Sequence, residues 1–434
     1  MPGKINGRPS GSLKGYRNNK MWIDKISFIT LLLYAASTSL SIVATNVLLG
    51  VVVVLAILYS IRARRFRLSA EGIPMLLLLL WRGLSIIGKP QYWYKFGGKF
   101  WDHMPYYFIP NLKVKKIKTI VYVFLITATV TAVMGIAQFF LSFKYPLISM
   151  QLISAGELYG FNFRNRLHSS GYYSFIAVLC LVFFFFLNEK DRKAKIMLAA
   201  CSLVNIVAVI LSNARTYYVA LGIVIIAVLI KKSFKTLVFG GLAIAAVVTM
   251  MCVLHPGVKS RFTSIFDTQK NVSNMERLWM WNTSLKIIKE NPVFGIGYKN
   301  WQIDVEKYFQ NEKDKNPLMW ILMRQRKEGY DEQNVLKAMK AHPHNSYLSA
   351  AVEGGIVGLG LFLLFWAGNM VQAFRRAARI EKGSVMFALN LGVGFALMMF
   401  LIGAFFEYNL ITARLLLPLT FLMGLSYIKT ENSI

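Results

Sequence analysis

Two histidines stand either side of a proline in His342-Pro343-His344-Asn345-Ser346-Tyr347-Leu348, just ahead of a long apolar run. An imidazole beside a membrane interface titrates near neutral pH and can accept a proton from a hydroxyl. It can also bind a metal, but no acidic or cysteine cluster stands nearby at ligand spacing, so no metal is expected. Asn345 suits a helix cap better than His344 does, and is kept as a candidate for substrate contact as well. Earlier in the same polar stretch, His255 to Asn345, come Arg277 and Trp281, then Asn291-Pro292-Val293-Phe294-Gly295-Ile296-Gly297. Alone, Arg277 beside Glu276 reads as a solvated surface charge. The amphipathic helix around it, with Leu278, Trp281, Leu285 and Ile288 at helical spacing, and the tight turn that follows make it a cation held rigidly above a bilayer. Asn274 is the expected cap of that helix and Asn291-Pro292 its end.

Other candidates fall on the same side of the membrane. Arg215, in Ser212-Asn213-Ala214-Arg215, sits where a turn enters a helix. Burying a cation there is costly, so it lines a cavity, pairs, or snorkels to the headgroups. Arg164, Arg166 and His168 precede a span, and Glu407 and Arg414 flank the start of the last one. Each either contacts substrate in the same cavity or anchors an interface. Arg82, inside the third apolar run, is a candidate of the same kind.

These residues need a scaffold, and the composition says which. Of 434 residues, 56% are hydrophobic, in runs of the roughly 20 residues needed to cross a bilayer. The pattern predicts an all-α polytopic integral membrane protein with about twelve transmembrane helices. The expected spans are Ile26–Val43, Val47–Ile61, Ile73–Ile87, Phe96–Ile109, Ile120–Leu141, Tyr172–Leu187, Ile196–Leu211, Tyr217–Ile230, Thr236–Leu254, Ser346–Val371, Val385–Phe405 and Leu410–Ile428. The domain plan is a basic tail (1–25), nine spans (26–254), a loop of amphipathic helices carrying the motifs (255–345), three spans (346–428) and a short tail (429–434). Residues Met1 to Lys20 lack the apolar core of a secretory signal and read as a disordered tail. The net charge of +30 sits largely in short loops, which is the positive-inside pattern. It reports topology and contact with anionic membrane lipids, not nucleic-acid binding, since no folded basic module is visible. All the basic loops share one side only if Phe96–Ile109 crosses or re-enters; both termini are then cytoplasmic, and the polar loop lies on the far side. Cys180, Cys201 and Cys252 each lie within apolar runs and read as small buried hydrophobes.

In order and on one face, these motifs resemble the superfamily of O-antigen ligases and O-antigen polymerases. Arg277-x-x-x-Trp281 with Asn291-Pro292-x-x-Gly295-x-Gly297 looks like its far-side arginine helix. Ser212-Asn213-Ala214-Arg215 looks like its second arginine turn. His344-Asn345-x-x-Leu348 with Glu353-x-Gly355-x-x-Gly358 looks like its histidine motif. The resemblance implies a GT-C type glycosyltransferase of the bacterial inner membrane with a periplasmic active site and no nucleotide sugar, metal or other cofactor. Its donor would be a glycan on undecaprenyl diphosphate. A ligase passes this to lipid A–core oligosaccharide, whereas a polymerase passes it to another lipid-linked repeat. It implies catalytic roles for His344, Arg277 and Arg215, with His342 in support. The chain's moderate length and single large late loop favour ligase. A lipid or polysaccharide transporter would place its ionisable groups near the bilayer midplane in matching halves; here they gather at one face. A structural scaffold would need no such convergence.

Overall fold

The computed structural model describes residues 11–141, 166–254, 259–260, 272–312, 336, 339–340, 342–409 and 412–428. Among them the regular structure is helical, and eight helices are long and apolar enough to cross a membrane. In chain order the helices are α1 (Gly11–Leu40), α2 (Ile42–Ala63), α3 (Ile73–Leu84), α4 (Trp93–Asp102), α5 (Met104–Phe108), α6 (Ile117–Leu141), α7 (Arg166–Phe186), α8 (Arg192–Leu211), α9 (Arg215–Lys232), α10 (Phe234–Leu254), α11 (Val272–Glu290), α12 (Trp301–Glu312), α13 (Ser346–Arg379), α14 (Val385–Ala404) and α15 (Ala413–Ser426). The protein is an all-α, multi-pass membrane protein.

Four of the twelve expected spans are not among those eight: α9 carries three cations in its 18 residues, α3 and α15 are short, and one is cut into pieces. At about 1.5 Å per residue, α3 and α15 are roughly 18 and 21 Å long. Every residue from Leu415 to Ser426 in α15 is nonetheless buried, whereas α3 buries Met75, Leu78, Leu79 and Arg82 and leaves its other face exposed. The expected span Phe96–Ile109 is not one helix. It breaks at His103 into α4 and α5, because Pro105 occupies the first turn of α5 and cannot continue the helix before it. The pieces still lead back to the end of the bundle that α3 started from, where Asn111 bonds the backbone of Arg67 and Tyr107 donates to Gly72. At the other end of the chain, α1 already begins at Gly11, so the expected disordered tail is helical over its second half. Residues 1–10 and 429–434 lie outside the described residues.

The basic loops gather at one end. Lys118 pairs with Glu189 at 2.7 Å, Lys232 donates to Phe185 O, and Asn188 N–H bonds Gly383 O at 2.8 Å. The helices around α14 form the core of the bundle, with small residues where they approach closely: a Cβ at Gly392 would meet the Leu179 side chain at 2.7 Å.

The 34-residue helix α13 is two helices joined at Gly355, where φ is 61° and ψ −156°. Only glycine adopts that backbone without strain. The break frees N–H and carbonyl groups, and the turn after α11 uses them. Ile296 and Gly297 donate to Val352 O and Glu353 O at 2.8 and 3.0 Å; Ile356 donates to Pro292 O at 2.8 Å. Backbone lies directly on backbone, since a Cβ at Gly295 would sit 2.4 Å from Val352 O. This zipper fixes the extramembrane helix α11 to the span α13.

Candidate functional site

The turn that ends α14 carries Glu407, and three other elements converge on it. Arg277, on α11, places Nη2 2.5 Å from Glu407 Oε1. His344, in the approach to α13, has Nδ1 3.3 Å from Oε2. Thr216, the second residue of α9, donates to Oε1 at 3.4 Å. The turn itself is held from behind: Ser346 donates to the Glu407 carbonyl at 2.9 Å and accepts from Asn409 N–H, while Tyr217 donates to Asn409 at 2.9 Å.

Each side chain is placed by its element. In α11, Met275, Trp279, Met280 and Ile287 are buried and form a small core with Trp301, Val305 and Phe309. The face expected to lie on the bilayer is the other one: Leu278 and Leu285 are 44% and 57% exposed, while Trp281 and Ile288 are half-buried. Two apolar stripes run along this helix: the inner one is buried in protein, and the outer one is exposed at Leu278 and Leu285 but touches protein through Trp281 and Ile288. Asn274 is inside the helix, which starts at Val272, and so is not its cap; the expected end at Asn291-Pro292 holds. Trp281 donates its indole N–H to Pro343 O at 3.0 Å and stacks edge-on against Phe405. It thereby grips the proline between the two histidines. Asn345 is the cap of α13, its Oδ1 accepting from Tyr347 and Leu348 N–H, which leaves that oxygen engaged within the helix.

Electrostatics separate the two histidines. His342 is largely buried, stacked 4.2 Å from His344 and 5.1 Å from Tyr408. Burial, and then the neighbouring His344, push its pKa down to about 3. Its Nδ1 accepts from His344 N–H, so it is neutral with its proton on Nε2. For Glu407, burial alone would raise the pKa. The Arg277 charge and the His344 bond outweigh burial and hold it at about 2. A carboxyl depressed in the folded state stabilises fully above its unfolded value near 4.5 and loses that contribution as pH falls towards 2. Glu407→Gln is therefore expected to flatten the acid limb of the melting-temperature profile below about pH 4.5. Thermal melts of both proteins in detergent, taken from pH 6 downwards, check this. Parallel acid limbs would mean that Glu407 is not a charged partner.

A second buried pair lies beside the first. Arg82 on α3 meets Glu353 on α13 at 3.0 Å, just before the Gly355 break, and its guanidinium lies 5.4 Å from the Tyr298 ring centroid. Lys299 N–H also bonds Glu353. A small cleft between this pair and the histidines is lined by Lys299, Gln302, His342, Ser349, Glu353 and Tyr408. Burial lowers the Lys299 pKa, with Lys95, Lys99 and Arg82 adding to the effect against Glu353.

The structure thus brings Arg277, Glu407, His344, His342 and Trp281 together. Arg215 opens α9 next to Thr216, and His168 lies within electrostatic reach of Arg414 and Glu407. Arg164 and the Arg166 side chain lie outside the described residues. Thr216, Ser346 and Lys299 were not singled out in the sequence. Their neighbours in the chain, Arg215, Asn345 and Gly297, were the available signal.

Residues 200–363 match the family of O-antigen ligases. Over this stretch the chain is similar to the O-antigen ligase and polymerase superfamily. The matched stretch contains Arg215, Arg277, His344 and the Gly295–Gly355 zipper, whereas Glu407 and Arg414 follow it. No curated protein matches the chain. The family implies transferase or ligase chemistry on lipid-linked glycans, in the synthesis of O-antigen or a related glycan.

Proposed function

We propose that this protein is an O-antigen ligase: it transfers a glycan from undecaprenyl diphosphate to lipid A–core oligosaccharide at the periplasmic face of the inner membrane, with both termini cytoplasmic. The observation that carries this reading is the Arg277–Glu407–His344 cluster at the end of the bundle opposite the basic loops. His344 gives Nδ1 to Glu407, which leaves Nε2 to accept the proton of the acceptor hydroxyl. The hydroxyl oxygen attacks the anomeric carbon as the bond to the diphosphate oxygen breaks, and attack from the opposite side inverts the configuration. Negative charge builds on the departing diphosphate. Arg277 and Arg215 answer it, being permanently charged and shaped for phosphate oxygens, in the role a divalent cation fills in many transferases. Arg277 keeps donors for this task, because Glu407 occupies only one edge of the guanidinium. His342, Trp281, Arg414 and His168 shape the surroundings of these groups.

Purified protein given lipid-linked donor and lipid A–core acceptor, in chelator, is expected to put glycan on lipid A–core. Chain growth on donor alone would make it a polymerase. Donor binding without any covalent product would make it a transporter. In the same assay His344→Ala is expected to cut turnover by about 10²–10⁴-fold while donor binding changes little. Loss of binding with turnover of bound donor intact would remove the base role from His344.

A further inference from the structure

The end of the bundle far from Glu407 holds a cavity that the proposed chemistry does not use. It holds about 280 Å³ and is open to the surface, close to the lower end of the roughly 300–1,000 Å³ typical of small-ligand pockets. Arg65, Phe66, Arg67 and Leu68 form its rim; Tyr106, Tyr107 and Tyr427 line it more deeply.

The rim is held in place by the backbone. Arg64 ends α2 in the left-handed conformation with φ 47°, and Arg65 N–H closes the cap on Ser60 O at 3.0 Å. Asn111 then acts as a short strand partner for Arg67, accepting its N–H at 2.6 Å and donating to its carbonyl at 3.3 Å. Phe66 is edge-on to Phe108 at 5.6 Å. The hydroxyls are ordered too: Tyr106 meets Ser69 at 2.5 Å and Tyr427 at 3.5 Å, and Tyr107 donates to Gly72 O. Arg376 lies 3.5 Å over the Tyr427 ring. The nearest carboxylate is Glu71, which accepts from Gln372 at 2.7 Å and from Tyr427 at 3.4 Å. Among the described residues no carboxylate pairs with Arg65 or Arg67.

We infer that this cavity binds the phosphate of an anionic phospholipid headgroup. Two arginine forks suit phosphate oxygens. The rim alternates cation with apolar side chain: Phe66 and Leu68 are about half exposed, and Ile61 near the end of α2 is 67% exposed. That pattern fits an amphiphile, with the headgroup on the arginines and the acyl chains along the apolar side chains, better than a free anion. The basic loops at this end make the leaflet the cytoplasmic one, whose anionic lipids attract such segments. The inference needs no part of the transferase reading, and its failure would leave that reading untouched.

Full-length protein in neutral detergent is titrated with short-chain phosphatidylglycerol, with short-chain phosphatidylcholine, and with inorganic phosphate, and binding is followed by native mass spectrometry. Phosphatidylglycerol is expected to bind most tightly. The R65Q/R67Q variant is expected to lose about tenfold or more in affinity for it. K190Q/K195Q removes the same charge from another loop of the basic end and is expected to bind as the wild type does. Folding of each variant is checked by its melting temperature, and R65K/R67K, which keeps the charge but loses the forks, is expected to fall between. Equal losses in both glutamine variants would reduce the effect to bulk charge and overturn the site. Unchanged binding in R65Q/R67Q would do the same. Inorganic phosphate binding as tightly as the lipid would keep the phosphate chemistry and overturn the lipid as its source.

Discussion

Arg277→Ala is expected to cut glycan transfer by about 10²–10³-fold while the protein still inserts and folds. The guanidinium does two things in the structure. It holds Glu407 at 2.5 Å and so keeps that carboxylate ionised, and it presents its remaining donors beside His344. Removing one donor to a developing anion costs on the order of 10²–10³ in rate when another stays in place. Here Arg215 would remain, so that loss is the expected size. Lysine at the same position keeps a charge but loses the planar fork, and is expected to recover only part of the rate. Because alanine leaves Glu407 without its cation, an Arg277→Ala/Glu407→Gln double variant controls for misfolding. It is expected to melt closer to wild type than the single variant while transfer stays as slow. Single-turnover transfer with saturating donor is the measurement, and wild-type turnover in Arg277→Ala would sink the diphosphate role.

The second large effect belongs to a residue far from any proton or phosphate. Gly355→Ala puts a Cβ 2.2 Å from the backbone carbon and oxygen of Val293, at a φ/ψ pair that essentially only glycine adopts. The conformational strain alone is worth about 1–3 kcal/mol, and the clash lies with backbone that cannot rotate away. The zipper between α13 and the turn after α11 is expected to open. The protein is then expected to melt at lower temperature and to lose transfer, because Arg277 and His344 no longer share a rigid support. Gly358→Ala is the comparison: its Cβ would meet Ala350 O at 2.9 Å, but its φ is ordinary helix. It is expected to do less harm. Equal melting temperatures for wild type and Gly355→Ala would show that the break carries no load.

The sequence was most legible where physics is repetitive. Apolar runs gave the spans, lysines and arginines marked the basic end, and Asn291-Pro292 marked the end of α11. It was least legible where a helix is interrupted. Phe96–Ile109 contains Lys99, Asp102 and His103 and counts as a span only because the basic loops must share one side; Pro105 splits it, and the pieces are held by contacts such as Thr420 with Asp102 O. The break in α13 was hidden because Gly355 lies inside one long apolar run, and only the turn docked on it from α11 makes the irregular backbone worthwhile. For the candidate site, the motifs pointed to Arg277 and His344, but not to what joins them. Glu407 lies well beyond His344 in the chain and has no helical spacing to either partner. Its role as the bridge is a product of tertiary packing. The apolar stripe expected to lie on the bilayer is exposed at Leu278 and Leu285, and the second stripe, which packs on protein through Met275, Trp279 and Met280, goes unmarked because periodicity locates faces without saying what covers each.

One consequence of the Glu407 bridge concerns the interval between turnovers. The carboxylate is a resident counter-ion: with no substrate bound, Arg277 already has an anion, and the extramembrane arm stays docked through it. On the proposed function, an arriving diphosphate must compete with that anion for the guanidinium rather than meet a bare cation. Part of its electrostatic attraction is cancelled, so it binds less tightly than the charge of the arginines alone would suggest. The same competition acts on the way out. When the glycan has moved and polyprenyl diphosphate remains, Glu407 stands ready to take its place on Arg277, and the spent carrier is exchanged out rather than retained as an inhibitor.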